Sequence, residues 1–285
     1  MNPPVLTSQQ PKTVLITGAS SGIGLQLASD YLQHGRKMLA CARNQQALEP
    51  LVGAQKLVFD INDLDAINAV AEQLKMAQAA RLDLLILNAG TCEYIDNARQ
   101  FDAALFARVI RTNVISMGHC ISAFLSLMSR GSRLALMGSS AVYLPFPRAE
   151  AYGASKAAVQ YLAASLALDL QPHGIGVSVI CHGFVKTPLT DKNDFAIPMQ
   201  QTPQQASLAI RNGLAKGLQE IHFPRRFTLL LKFISLLPRG IWQRLVQPKH
   251  LESSAIDTND DTQANAKEAG QSSRSNIAAD NRKVR

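Results

Sequence analysis

The chain has 285 residues, 47% of them apolar, which suits one α/β domain of roughly 220 to 250 residues with a large core plus an appendage. A formal net charge of +8 raises nucleic acid as a partner, but residues 211–249 alone hold eight Lys or Arg against the single acid Glu220, which is +7 of the total; the rest is near neutral and shows no aromatic-interleaved basic surface, so nucleic acid is not expected. Residues 1–11 are polar and proline-bearing and predict neither signal peptide nor anchor, and four scattered cysteines, Cys41, Cys92, Cys120 and Cys181, without Cys-x-x-Cys spacing, suit a reducing, cytoplasmic setting.

After the short N-terminal arm (1–11), a β-branched run at 13–17 leads through a glycine turn into an amphipathic stretch at 23–33, the pattern of strand, tight turn and helix. Further strands are predicted at 37–42, 56–59 and 84–87, with a clear helical pattern over 63–78, and then at 134–137, 175–181 and 220–223. Apolar strand runs alternating with helical segments predict an α/β fold: a single Rossmann-type, doubly wound parallel sheet of about seven strands with helices on both faces, forming a catalytic domain over 12–223. Residues 224–250 read as a basic, apolar helical segment, and 251–285, polar and nearly without large aliphatics, predict a disordered tail.

Gly18, Gly22 and Gly24 lie between the first strand and its helix, spaced Gly-x-x-x-Gly-x-Gly. Glycines there let the backbone turn tightly and approach a pyrophosphate, whose charge lies against amides at the helix N-terminus. The end of the second strand selects the dinucleotide, since an acid binds the ribose 2′-hydroxyl and an arginine pairs with a 2′-phosphate. That strand ends in Arg43-Asn44 with no acid until Glu49, which favours NADP over NAD; an ordinary solvated charge is the other reading of Arg43.

Tyr152 and Lys156, four apart in a helix-forming context, share a face. A free tyrosine titrates near pH ~10, and a close ammonium lowers that value, so Tyr152 is expected to exchange protons with an alcohol or a carbonyl. Ser139, thirteen residues earlier at the end of the 134–137 run, is placed to hydrogen-bond the same oxygen, with Ser140 as the alternative.

Taken together, Thr17-Gly18-Ala19-Ser20-Ser21-Gly22-Ile23-Gly24, Asn88-Ala89-Gly90, Asn113, Ser139, Tyr152 and Lys156, in this order and spacing, resemble the classical short-chain dehydrogenase/reductase family over about 12–223. The resemblance implies an NAD(P)-dependent oxidoreductase in which Tyr152 is the general acid in carbonyl reduction and the base in alcohol oxidation. Lys156 would lower its pKa and hold the nicotinamide ribose, Ser139 would polarise the substrate oxygen, and Asn113 would help hold a water linking Lys156 to solvent. The same resemblance implies cofactor contacts from Gly18, Ser20, Ser21, Gly22, Ile23 and Gly24, from Asp60-Ile61 at the adenine, from Asn88-Ala89-Gly90 on the ribose and nicotinamide side, and from Val185 and Thr187 at the carboxamide. Asp60 has a second reading as cap of the helix beginning near Asp63.

One departure stands out. Where the family commonly shows Pro-Gly, this chain has His182-Gly183, so His182 is either a titrating group near the site or a tolerated loop substitution. The other histidines show no ligand spacing, and no metal is expected. Tyr94, Tyr143, Leu144, Phe146, Leu189 and Phe195, in loops expected to line the pocket, predict a lipophilic substrate such as an acyl, isoprenoid or alicyclic ketone. The competing class is a non-enzymatic dinucleotide-binding sensor or scaffold, against which an intact proton relay speaks.

Two surfaces predict partners. The helix bearing Tyr152 is apolar on more than one face, through Ala154, Ala157, Tyr161, Ala164 and Leu168 among others, which implies a homodimer or homotetramer. In 223–246, Thr228, Lys232 and Ser235 form one narrow polar stripe among leucines and phenylalanines, flanked by Arg225, Arg226, Arg239 and Arg244. The run is shorter than the ~20 residues that span a bilayer, so it must lie on something: its own active-site mouth or a neighbouring subunit first, an anionic membrane second.

Overall fold

The segment Thr13–Thr17 is buried at every position, and a strand with no solvent face needs cover above and below. The computed structural model describes residues 11–77, 81–190 and 199–246, and in it that strand, β1, lies inside a seven-stranded parallel sheet. The other strands are β2 (Lys37–Ala42), β3 (Gln55–Val58), β4 (Leu82–Leu87), β5 (Met128–Met137), β6 (Gly176–His182) and β7 (Glu220–Phe223), in the order β3-β2-β1-β4-β5-β6-β7.

Alternation along each strand divides the core into two layers. Leu15, Leu39, Leu85, Leu134 and Val179 point to one face, and there α2 (Leu64–Met76), α4 (Ser116–Phe124) and α5 (Glu150–Leu170) bury Ile67, Phe124 and Val159 against them. Ile16, Met38, Ile86, Ala135 and Ile180 point the other way, under α1 (Gly22–Gln33) and α6 (Pro203–Ala215), which supply Leu27 and Ile210. The doubly wound sheet expected from the sequence is therefore the fold.

Most element limits shift by a residue or two from the sequence reading, but β5 starts six residues earlier, at Met128. Its first half, Ser129 to Arg133, is polar and hides the strand from a hydrophobicity pattern; a register shift between Leu82 and Leu84 lets Met128 pair early, and Ser132 donates to the Leu82 carbonyl at 2.6 Å. The sequence reading also left unassigned α3 (Ala103–Ile110) and the π-helical turn Arg111–Ile115 that joins it to α4.

The helix α7 (Arg225–Ser235) is the clearest surprise. Two members of its polar stripe face the protein, while Ser235 stays exposed: Thr228 is fully buried, with His222 Nδ1 and Thr228 Oγ1 2.7 Å apart, and Lys232 donates to Glu220 at 2.9 Å. The cause is β7, an edge strand whose outward-facing side chains on this layer, Glu220 and His222, are polar and need polar partners. The helix α8 (Arg239–Val246) falls in a second unit and is described on its own; it exposes Ile241 and Leu245. Phe195, most of the arm and the tail predicted at 251–285 lie outside the described residues.

Candidate active site

Parallel register sets the strand ends in one row. Thr17 stands beside Cys41 and Leu87, Leu87 beside Leu136, Met137 beside Ile180, and His182 beside Phe223. The residues that follow these ends, including Gly18, Arg43, Asn88, Ser139 and Gly183, accordingly line one cavity of about 1110 Å³ on the carboxyl side of the sheet. Asn88 stitches the loops together, donating from Nδ2 to the carbonyls of Thr17 (3.0 Å) and Gly18 (3.1 Å).

The glycine turn forms a cradle with room only for backbone. Gly18 and Gly22 have φ of +67° and +54°, which other residues rarely adopt. A Cβ on Gly24 would stand 2.2 Å from the Gly18 carbonyl oxygen, and one on Gly22 2.8 Å from Thr187 Cγ2. Ser21, the residue before α1, makes no side-chain cap. A concave backbone turn opening on a helix N-terminus fits a dinucleotide diphosphate. Ser20, Ser21, Ile23, Asp60, Ile61, Ala89 and Gly90 line the same cavity, as do Val185 and Thr187. Arg43 extends at its edge, its side chain 77% exposed and only loosely facing Asp60 at 3.9 Å. Asp60 is not the cap of α2: Asp63 accepts from Ala66 N at 3.0 Å, whereas Asp60 accepts from Asn62 N at 2.9 Å.

The proton-transfer groups expected from the sequence line the same cavity. Tyr152 and Lys156 project from α5, and Ser139 hydrogen-bonds Tyr152 from the end of β5. Asn113, buried in the π-helical turn, fixes the neighbouring loop: its Nδ2 donates to Ser155 Oγ and to the Thr91 carbonyl, both at 2.9 Å, and its Oδ1 accepts from Thr91 N at 2.8 Å. Lys156 donates to the Met137 carbonyl at 2.8 Å, and its Nζ sits 5.6 Å from the Tyr152 ring centre.

The sequence expectation that Lys156 lowers the Tyr152 pKa is corrected here. Burial dominates and pushes the Tyr152 phenol up, with Cys92 adding to the rise and the Ser139 hydrogen bond only partly opposing it. Burial also lowers Lys156 to about 8. Tyr152 is thus a protonated phenol at neutral pH, the form that donates to a carbonyl. Burial takes His182 down to about 4, so it is neutral near pH 7 and does not titrate there; its Nδ1 lies 2.7 Å from the Gly183 carbonyl oxygen and donates to it.

Of the large residues expected around the substrate, Tyr94, Phe146 and Leu189 line the cavity. Tyr143 and Leu144 do not: Tyr143 turns away to hydrogen-bond Glu220, and Leu144 is buried in packing. Phe184, Phe227 and Arg148 are lining residues that sequence reasoning missed. Phe227 was marked only by its place in the apolar C-terminal run. Nothing local marked Arg148, held at φ 64° with its guanidinium over the Tyr94 ring and paired with Asp96.

With this geometry in place, residues 12–196, more than half the chain, match the short chain dehydrogenase family. The chain belongs to that family. Among relatives of this dehydrogenase, an uncharacterized oxidoreductase from Myxococcus xanthus is 31% identical over 240 residues, covering 81% of this chain and 94% of its own. An NADPH-dependent 1-acyldihydroxyacetone phosphate reductase from Schizosaccharomyces pombe is 31% identical over 250 residues, covering 83% and 82%. A solved short chain dehydrogenase/reductase from Burkholderia phymatum, in complex with NAD, superposes with a TM-score of 0.68 at 22% identity over 78% of this chain and 92% of that one. The short-chain dehydrogenase described here is an oxidoreductase of the NAD(P)-dependent kind, with no helix among its described residues long and apolar enough to cross a membrane.

Proposed function

We propose that the chain transfers a hydride between NADP(H) and a carbonyl or secondary alcohol on a lipophilic substrate, with Tyr152 as the general acid or base. The observation that carries this reading is the convergence of Ser139, Tyr152 and Lys156 on one cavity beside the glycine cradle. Bound there, the nicotinamide would supply the hydride, and the protein would supply position and proton transfer. Tyr152, kept protonated by burial, donates its proton to the substrate oxygen as negative charge develops on it. Ser139 donates a second hydrogen bond to that oxygen. Lys156, anchored on Met137, would hold the ribose hydroxyls of the bound cofactor, while Asn113 keeps the Thr91 loop and α5 in register. Tyr94, Phe146, Phe184, Leu189 and Phe227 give the substrate end an apolar wall. A panel of acyl, isoprenoid and alicyclic ketones assayed with NADPH tests the reading, and no turnover on any of them would instead favour a dinucleotide-binding sensor.

The NADP preference rests on Arg43. Its loose pairing with Asp60, on the exposed surface, holds it weakly, so a 2′-phosphate could capture the guanidinium through charge-assisted hydrogen bonds. Arg43→Ala should raise the NADPH dissociation constant about ten- to a hundredfold, from roughly 1.5 to 3 kcal/mol of lost contact, and leave NADH nearly unchanged. A parent protein that binds NADH more tightly than NADPH in titration contradicts this assignment.

Self-association is proposed through α5. The side of the helix away from the sheet exposes Ala154, Ala157, Tyr161, Ala164 and Leu168, small and apolar residues that a second copy would cover. Light scattering should give a dimer or tetramer at micromolar concentration, and Ala157→Glu should shift it to monomer; a monomeric parent rules the proposal out.

A further inference from the structure

The inward turn of the polar stripe on α7 leaves the apolar side of that helix facing out. Leu229 and Leu230 are 53% and 52% exposed, Phe233 64% and Leu236 82%. At 3.6 residues per turn these four share one side, and Arg226 falls on the same side at its N-terminal end, with Arg225 at its margin. The lid expected from the sequence accounts for one residue of the helix: Phe227 lines the cavity, its ring 6.3 Å from that of Phe184. The exposed leucines and Phe233 do not line the cavity.

Charge decides between the two remaining occupants. Residues 221–246 contain no Asp or Glu, while Arg225 and Arg226 are exposed beside the apolar row and Lys232 is already neutralised by Glu220. Two copies of this face meeting about a twofold axis would bring arginines to a surface that offers them only apolar and basic neighbours. An anionic lipid surface offers phosphates to the arginines and acyl chains to the leucines. We infer that α7 is an interfacial helix that docks the protein onto anionic membranes, lying in the headgroup region without crossing it. Phe227 shares the helix and walls the cavity, so the opening would stand close to the lipid; only this last link rests on the proposed lipophilic substrate.

The test is co-sedimentation of the full chain with vesicles, which does not depend on turnover. The parent should sediment with equimolar phosphatidylglycerol and phosphatidylcholine, remain in solution with phosphatidylcholine alone, and be released in about 0.5 M salt, where screening shortens to a few ångström. Arg225→Gln with Arg226→Gln should weaken binding roughly thirtyfold, taking about 1 kcal/mol for each lost cation. The combined variant Leu229→Gln, Phe233→Gln and Leu236→Gln, all at exposed positions, should keep the parental melting temperature and lose sedimentation. No sedimentation of the parent at low salt overturns the inference. So does a triple variant that sediments like the parent, which would place binding elsewhere in the chain, or one that loses only self-association, which would give the face to a second copy.

Discussion

Replacing Tyr152 by Phe should lower turnover by roughly 10²- to 10⁴-fold while leaving fold and NADPH affinity close to those of the parent. Phenylalanine keeps the ring that packs below Lys156 and removes only the hydroxyl, so the transferable proton and the Ser139 hydrogen bond are lost together. The sensitivity follows from the way burial raises the Tyr152 pKa: at neutral pH the residue carries the proton that the substitution removes. His182 also lines the cavity, but burial holds it neutral with its one ring proton bonded to Gly183. Steady-state rates on any ketone the parent reduces, together with an NADPH titration, check this. Parental turnover in the variant would remove Tyr152 from the chemistry.

Gly24→Ala should act earlier, on cofactor binding. The new methyl would meet the Gly18 carbonyl at 2.2 Å and Asn88 Nδ2 at 2.5 Å, and the first of these is backbone that cannot swing aside. The turn must open, costing about 1 to 3 kcal/mol of stability, which for a domain of this size is on the order of 2 to 10 °C in melting temperature. Opening it also breaks the Asn88 stitch and moves amides away from the diphosphate, so NADPH affinity should fall on the order of a hundredfold. Gly118 is the control: an added Cβ there meets nothing within 4 Å, and Gly118→Ala should leave binding unchanged and stability equal or slightly higher. Fluorescence titration and a thermal melt of both variants read the contrast, and parental NADPH affinity in Gly24→Ala would refute the cradle.

The parts of the site that were legible are those where chemistry demands a residue type at a spacing. The Gly18-Gly22-Gly24 turn and the Tyr152-Lys156 pair are local, and local geometry is what a sequence displays. Which strands neighbour one another is not local, so Gly18, Asn88 and Ser139 were brought together by the family resemblance alone, and the physical reason for their convergence is the register of β1, β4 and β5. The Tyr152 pKa failed for a related reason: a pairwise view sees the lysine four residues away, whereas desolvation depends on everything packed around the phenol. In α7 the helical period gave the right stripe but not its direction. Apolar-inward is the usual outcome, and it was reversed by two polar side chains, Glu220 and His222, on the strand that the helix covers.

Glu220 accepts from Tyr143, in the loop that follows Ser139, and from Lys232 of α7 at 2.9 Å. Burial alone would raise its pKa; the Lys232 and Tyr143 hydrogen bonds more than offset that and hold the carboxyl below its usual value. The helix is therefore not a detachable module. Cutting the chain before Arg225 would strip the cation from a half-buried carboxylate, leave Tyr143 holding an unbalanced charge next to the serine loop, and remove Phe227 from the cavity wall. A truncated protein that lost lipid binding, activity and solubility at once would say nothing about which of these α7 provides. Point substitutions on its outer face are the separable experiment, because the residues that fasten the helix and those it displays lie on opposite sides.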